Sequence, residues 1–321
     1  MSDPAPEFRS YYGRAVLKPP VWEWKVPAYL FTGGLSAGSA VLAAGADLTG
    51  RPALRRAGRL GALATLAAST YFLIADLGRP ERFHHMLRVA KPTSPMSVGT
   101  WILVAYGPGA GVAAASELLP GPLRRTVLGR MLQRMARPAG LSAAVIAPAV
   151  ASYTAVLLSQ TAVPAWHETH PYLPFVFTGS AAASAGGLGM LLTPVREAGP
   201  ARRFAAVGAT AELAASRLME KRLGVVHEAY TTGKAHQLRT WAEYLTAAGL
   251  IGTVVAGRRS RALSAVSGLA LLAGSLLQRL GIFEAGVAST KDPRYVVLPQ
   301  RQRLSDALDD AKVAPHRARH G

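Results

Sequence analysis

Cysteine is missing altogether from the 321 residues, which excludes a disulfide and the thiolate cage of an iron–sulfur cluster within this chain. Histidine occurs at positions 84, 85, 167, 170, 227, 236, 316 and 320, never in the middle of an apolar run. A b-type haem held in a helical bundle needs axial ligands projecting inward from the helices, so no haem is expected either. No metal site is expected among these residues. Charge is scarce as well: 17% of residues are Asp, Glu, Lys or Arg, against about 25% in a soluble domain. Any electron reaching this protein must therefore arrive from a partner.

Long apolar runs are what the chain has in abundance. No charged residue occurs in 26–46, 92–116, 138–166 or 171–195, and each run reaches the roughly 20 residues that a helix needs to cross a ~30 Å hydrocarbon core. Four further segments, 60–75, 204–219, 241–257 and 262–283, are shorter or interrupted by charge. The fold class expected is all-α: a polytopic membrane bundle of about eight transmembrane helices, with both termini on the same side. The expected organisation is an N-terminal tail at 1–25, a helical domain at 26–283 and a C-terminal tail at 284–321. Residues 1–25 are charged and proline-rich rather than an early apolar core, so the run at 26–46 is expected to persist as helix one rather than be removed as a signal peptide.

The net charge of +18 does not point to nucleic acid, because the basic residues border the apolar runs, where they set orientation and meet anionic lipid head groups. The segments after helices one, three, five and seven carry Arg51, Arg55, Arg56, Arg59, Arg124, Arg125, Arg130, Arg134, Arg137, Arg196, Arg202, Arg203, Arg258, Arg259 and Arg261. That excess places them in the cytoplasm and both tails outside it, in a bacterial plasma membrane.

Ionisable residues inside a span cost at least about 2.5–3.5 kcal/mol each and are functional candidates by default. With this orientation Asp76, Tyr153, Thr154, Glu212, Arg217, Glu243, Arg279 and Glu284 all belong to the leaflet that bears the tails. A pocket lined by a tyrosine, carboxylates and arginines suits a lipophilic ligand whose oxygens take hydrogen bonds and protons, and a quinone fits that description. The bland alternative is that Glu212–Arg217, Arg279–Glu284 and Asp76–Arg79 are ion pairs that orient packed helices. On helix one, Gly34 and Gly38 form a GxxxG spacing that admits a close neighbour, most often another helix. At the opposite ends only Asp47 and Glu117 are acidic, each with an arginine nearby.

Three stretches carry a resemblance: Phe31-Thr32-Gly33-Gly34-Leu35-Ser36-Ala37-Gly38-Ser39, the run Asp76-Leu77-Gly78-Arg79-Pro80-Glu81-Arg82-Phe83 leading to Lys91-Pro92-Thr93-Ser94-Pro95-Met96-Ser97, and Tyr153-Thr154-Ala155-Val156-Leu157-Leu158. Phe283-Glu284-Ala285-Gly286 and Asp292-Pro293-Arg294-Tyr295 add to them. With these the chain resembles the NrfD/polysulfide reductase membrane-subunit family, the cytochrome-free quinone-reacting anchors of molybdopterin and multihaem oxidoreductases. The resemblance implies an eight-helix subunit in a complex with a ferredoxin-like iron–sulfur subunit and a catalytic molybdopterin subunit, exchanging electrons with menaquinone or ubiquinone. It also implies that Tyr153 contacts the quinone, with Tyr29 and Thr32 in the helix-one stretch that contributes polar contacts.

The quinone-binding set expected is thus Tyr153, Asp76, Thr154, Gly33, Gly34 and Thr32, with proton transfer by Glu212, Glu243, His85 and Arg279. Loop 77–91 forms a basic collar in which Arg79, Arg82, His84 and Arg88 are expected to dock an acidic iron–sulfur partner. His84 or His85 can relay protons there because imidazole titrates near neutral pH. The competing expectation is a secondary transporter or channel using Glu212, Glu243 and Arg217, or a proton-translocating form of the anchor.

Overall fold

A computed structural model of the chain describes residues 15–255 and 259–317, so Arg258 and His320 lie outside the described residues. Nine long helices account for most of it: α1 Lys25–Leu48, α2 Pro52–Ala75, α3 Pro95–Leu118, α4 Val127–Ser159, α5 Leu173–Leu192, α6 Gly199–Glu220, α7 Gly233–Val255, α8 Arg261–Lys291 and α9 Arg294–Arg317. Six of them, α1 to α5 and α8, are long and apolar enough to cross a membrane. α6 and α7 have 22 and 23 residues and pack against α5 and α8. They fall short in apolarity because Arg202, Arg203, Glu212, Arg217 and Glu220 lie on one, and Lys234, Arg239 and Glu243 on the other.

Local chemistry explains where the helices begin and turn. Ser94, Thr126 and Ser260 each accept a backbone N–H in the first turn of α3, α4 and α8, replacing bonds that a helix start lacks. Gly50, with φ +66°, ends α1 in the left-handed region, and the Arg51 N–H donates to the Ala46 carbonyl at 2.9 Å. This glycine-dependent stop lets α2 start at once and fold back along α1.

Two four-helix halves result, α1–α4 and α5–α8, joined through α1, α4, α5 and α8. The sequences of the halves repeat. Phe31-Thr32-Gly33 on α1 recurs as Phe177-Thr178-Gly179 on α5, and Ala64-Thr65-Leu66-Ala67-Ala68-Ser69 on α2 recurs as Ala211-Glu212-Leu213-Ala214-Ala215-Ser216 on α6. Each half has four helices, so the chain returns to the end where it began and like ends of the halves lie at one end of the bundle. Small residues set the contacts: a Cβ at Gly179 would lie 2.6 Å from the Glu212 nitrogen, and one at Gly187 would lie 2.6 Å from the Gly268 carbonyl oxygen. The helices therefore touch backbone to backbone, as small-residue interfaces in membrane bundles do.

One end of the bundle gathers residues 15–24, the segments 76–94, 160–172 and 221–232, and α9. Trp22 stacks on Trp166 with ring centroids 5.6 Å apart, Arg303 pairs with Glu168 at 3.7 Å, and Arg294 pairs with Glu228 at 3.5 Å. Trp166 is fully buried and its Nε1–H donates to the Ile282 carbonyl at 2.9 Å. At the other end Arg59 is buried and bridges Asp47 at 3.3 Å and Glu117 at 3.0 Å, while Arg55 reaches the same two carboxylates at 3.4 and 2.9 Å. The expectation that arginines neutralise Asp47 and Glu117 holds.

Several boundaries differ from the sequence reading. Helix two begins at Pro52 and helix four at Val127, so Arg55, Arg56, Arg59, Arg130, Arg134 and Arg137 are helical rather than in loops. Paired carboxylates and solvent-reaching side chains let arginines extend a helix beyond its apolar run. Helix four stops at Ser159, and Trp166 sits in a separate turn, Pro164–His167, where Pro164 occupies a first-turn position. Helix eight continues past 283 to Lys291, and the segment expected as a tail is largely the helix α9.

Candidate functional site

Two buried groups among the predicted site residues, one around Tyr153 and one around Glu212 and Arg279, lie on different faces of α1. On the first face, α4 carries Tyr153 against the start of α3, where a Cβ at Gly99 would overlap the tyrosine ring. Only glycine at position 99 admits the ring there. Tyr153 is 8% exposed, and the Tyr29 side chain of α1 is close enough to act on it electrostatically. Neither phenol oxygen has a hydrogen-bond partner among the described residues. Thr154 Oγ1 is also buried without one. Gly33 faces α2 instead, since a Cβ there would lie 3.1 Å from Ser69 Oγ. Thr32 does not offer a free hydroxyl, because its Oγ1 donates to the Ala28 carbonyl at 2.8 Å within α1. Asp76 caps α2 half-buried beside the start of α1; burial lifts its carboxyl above the ordinary range, and Lys25 pulls it back.

On the second face Glu212 of α6 and Arg279 of α8 are 2% and 1% exposed. The Arg279 guanidinium stacks on Phe177 at 3.6 Å from the ring centroid and donates to the Phe177 carbonyl at 2.8 Å. Its Nε and Nη1 and one Glu212 oxygen have no hydrogen-bond partner among the described residues, and each charge acts electrostatically on the other. Gly34 provides the room, since a Cβ there would lie 3.2 Å from Arg279 Nη2. Around the pair, Ser275 donates to the Ser180 carbonyl at 3.0 Å and Gln278 donates to Ser216 Oγ at 3.1 Å. These four polar residues were absent from the sequence reading, although Ser275, Gln278 and Arg279 share one helix face at spacings of three and four.

The ion pairs expected from sequence are replaced by others. Arg217 pairs with Glu243 at 2.9 Å rather than with Glu212, and Glu284 pairs with Lys234 at 2.6 Å rather than with Arg279. Both expected pairs were five residues apart, which on a helix of 3.6 residues per turn sets the side chains about 140° apart. No ion pair joins Asp76 to Arg79 among the described residues, because α2 ends at Ala75 and the chain turns away.

Glu243 is exposed, but it rims a narrow crevice between α6 and α7 that also meets Glu212, Arg217, Glu220 and Gln278. The crevice holds about 20 Å³, room for a water molecule. It shares Arg217 and Glu220 with a wider cavity of about 480 Å³ that Lys221 and His227 line. Glu212 is thus approached from the end of the bundle that carries α9.

Arg79, Arg82, His84, His85 and Arg88 all project from the exposed segment around the 3-10 helix Pro80–Leu87 at that same end. His85 meets the ring of His84 with centroids 4.4 Å apart, not either buried cluster. The loop is tied down by Ser97, whose Oγ accepts from the Lys91 N–H at 2.9 Å and donates to the Val89 carbonyl at 3.1 Å.

Comparison with known proteins places this geometry in context. The family model described as "Polysulphide reductase, NrfD" matches residues 15–226, which takes in α1 to α6 with Tyr153 and Glu212 but stops short of Arg279. The C subunit of polysulfide reductase from Wolinella succinogenes is 34% identical over 184 residues, covering 54% of this protein and 57% of that one. The match therefore spans little more than half the length of this relative.

Proposed function

Since the chain belongs to the NrfD polysulphide reductase family and is a multi-pass membrane protein, we propose that it is the quinone-reacting membrane subunit of a respiratory oxidoreductase complex. The observation that carries this reading is the pair of tyrosines, Tyr29 and Tyr153, close enough to act on each other and with hydroxyls that have no hydrogen-bond partner among the described residues. Two phenol donors that close together fit a ligand with oxygen acceptors. A bound quinone, menaquinone or ubiquinone, supplies two-electron and two-proton redox chemistry. Tyr153 and Tyr29 would hold its oxygens by donating hydrogen bonds, and Asp76 would offer a carboxyl group for proton exchange at the end of α2. Glu212 would exchange protons with the outer surface through the crevice that Glu243 rims.

Electrons would come from a ferredoxin-like iron–sulfur subunit, itself served by a catalytic molybdopterin subunit. Its docking face is the end bearing loop 77–91 and α9, on the extracytoplasmic side of a bacterial plasma membrane according to the distribution of arginine. The transporter reading loses ground because the family that the chain matches is described as a reductase family.

The test is Tyr153→Phe, which removes one hydroxyl and almost no volume. Assembly of the complex should be unchanged and quinone-linked turnover should fall. A loss of about 10²-fold or more marks the hydroxyl as a proton donor, whereas about fivefold marks a positioning hydrogen bond. Unchanged turnover in an assembled complex rejects the site. Docking is tested separately by reversing charge at Arg79 and Arg82. Partner retention should weaken, and weaken further as added salt screens what attraction remains over ~8–10 Å. Reversal at Arg124 and Arg125 should leave it intact, and a cross-linking map with the partner over those two residues would overturn the assignment.

A further inference from the structure

The end of the bundle away from α9 contains a polar cavity that the quinone reading does not use. It holds about 250 Å³, the liquid volume of about eight waters. Arg55, Arg59, Arg124 and Arg137 line it, facing the carboxylates of Asp47 and Glu117. Arg55 and Arg59 are spent on those carboxylates. Arg137 is not: its side chain is 63% exposed and only reaches Asp47 at 3.8 Å. Arg124 is exposed and uses its Nε on the Leu119 carbonyl at 2.9 Å, with no carboxylate partner among the described residues. Four guanidinium groups against two carboxylates leave two positive charges in excess, both at the rim. A walled cavity of that kind concentrates anions, and the guanidinium fork matches phosphate oxygens.

The surroundings identify the source of the anion. Beside the cavity, Leu123, Val127, Leu128, Met131 and Met135 are all at least half exposed, interleaved with Arg124, Arg125, Arg130 and Arg134. Apolar and basic side chains alternating over two helical turns suit the boundary between head groups and acyl chains. We propose that this cavity is a binding site for an anionic phospholipid, with the head-group phosphate received by Arg124 and Arg137 and the acyl chains lying over Leu123, Val127, Leu128 and Met131.

The experiment uses the full chain in phosphatidylcholine nanodiscs with and without phosphatidylglycerol, and reads the phosphatidylglycerol retained on extraction by native mass spectrometry. Arg124→Gln with Arg137→Gln should reduce retention about 25-fold, at about fivefold for each charge removed near the head groups. Asp47 keeps Arg55 and Arg59 in that variant. Arg130→Gln with Arg134→Gln removes equal charge outside the cavity and should change retention little. If the double variant does not fold, Arg124→Gln alone, which breaks no ion pair, carries the test with an about fivefold loss. Unchanged retention in the cavity variant, or equal loss in both pairs, overturns the proposal. So does inorganic phosphate stabilising the lipid-free protein as well as phosphatidylglycerol does, which would make this a site for a soluble anion.

Discussion

Arg279→Gln is expected to cost the folded chain about 1.5–3 kcal/mol, the usual worth of a hydrogen bond from a charged donor, here the one to the Phe177 carbonyl. The loss leaves the Glu212 carboxylate buried without its counter-charge and leaves the Phe177 carbonyl without its donor. Unfolding in detergent, followed by helicity, should show the drop. The double variant with Glu212→Gln should recover part of it, because the stranded charge disappears, and equal stability of wild type and Arg279→Gln would show that the two groups are not coupled. Glu212→Gln alone keeps shape and hydrogen bonding but cannot carry a proton. It should lower quinone-linked turnover while the complex still assembles. Failure to assemble would instead assign Glu212 to helix orientation.

Gly99→Ala is the second substitution with a large expected effect, although it adds a single methyl. That methyl falls within the Tyr153 ring, and a ring flanked by Tyr29 and α3 must swing as a whole to avoid it. Quinone-linked turnover should fall by about 10²-fold or more if the displaced hydroxyl is the proton donor. Gly111→Ala on the same helix, where an added Cβ meets nothing within 4 Å, should be silent. Adding Tyr153→Phe to Gly99→Ala should produce little further loss, since both changes remove the same hydroxyl from the same place. Full additivity of the two would mean that Gly99 acts through something other than Tyr153.

Much of this architecture was legible in the residues. Uncharged runs located α1, α3, α4 and α5 because a membrane core leaves few alternatives to an apolar helix. The internal repeat was legible too, in Phe31-Thr32-Gly33 and Phe177-Thr178-Gly179, but two short matches 146 positions apart gain meaning only once α1 and α5 are seen to play corresponding parts. Partner choice among charges was not legible. Glu212 and Arg217 are neighbours in sequence but point apart on one helix, whereas Arg279 comes near Glu212 only because α6 and α8 both pack against α5. Nor could sequence show that Gly99 underlies Tyr153, since the two residues lie 54 positions apart and meet only when α3 folds back on α4. Asp76, Tyr153 and Glu212 were read as one pocket because they share a leaflet. Depth is a coordinate along the bundle axis, and α1 separates them around it.

That separation makes α1 a thin dielectric partition. Gly33 and Gly34 are consecutive, yet one faces Ser69 on α2 while the other faces Arg279. The partition is one helix thick, about 10 Å. Across it, at an effective dielectric constant of about 20, a unit charge interacts with another by roughly 1.7 kcal/mol, which exceeds thermal energy nearly threefold. A net charge appearing on the tyrosine side is therefore felt at Glu212 and Arg279 without any helix moving, and the two clusters communicate as the plates of a capacitor do.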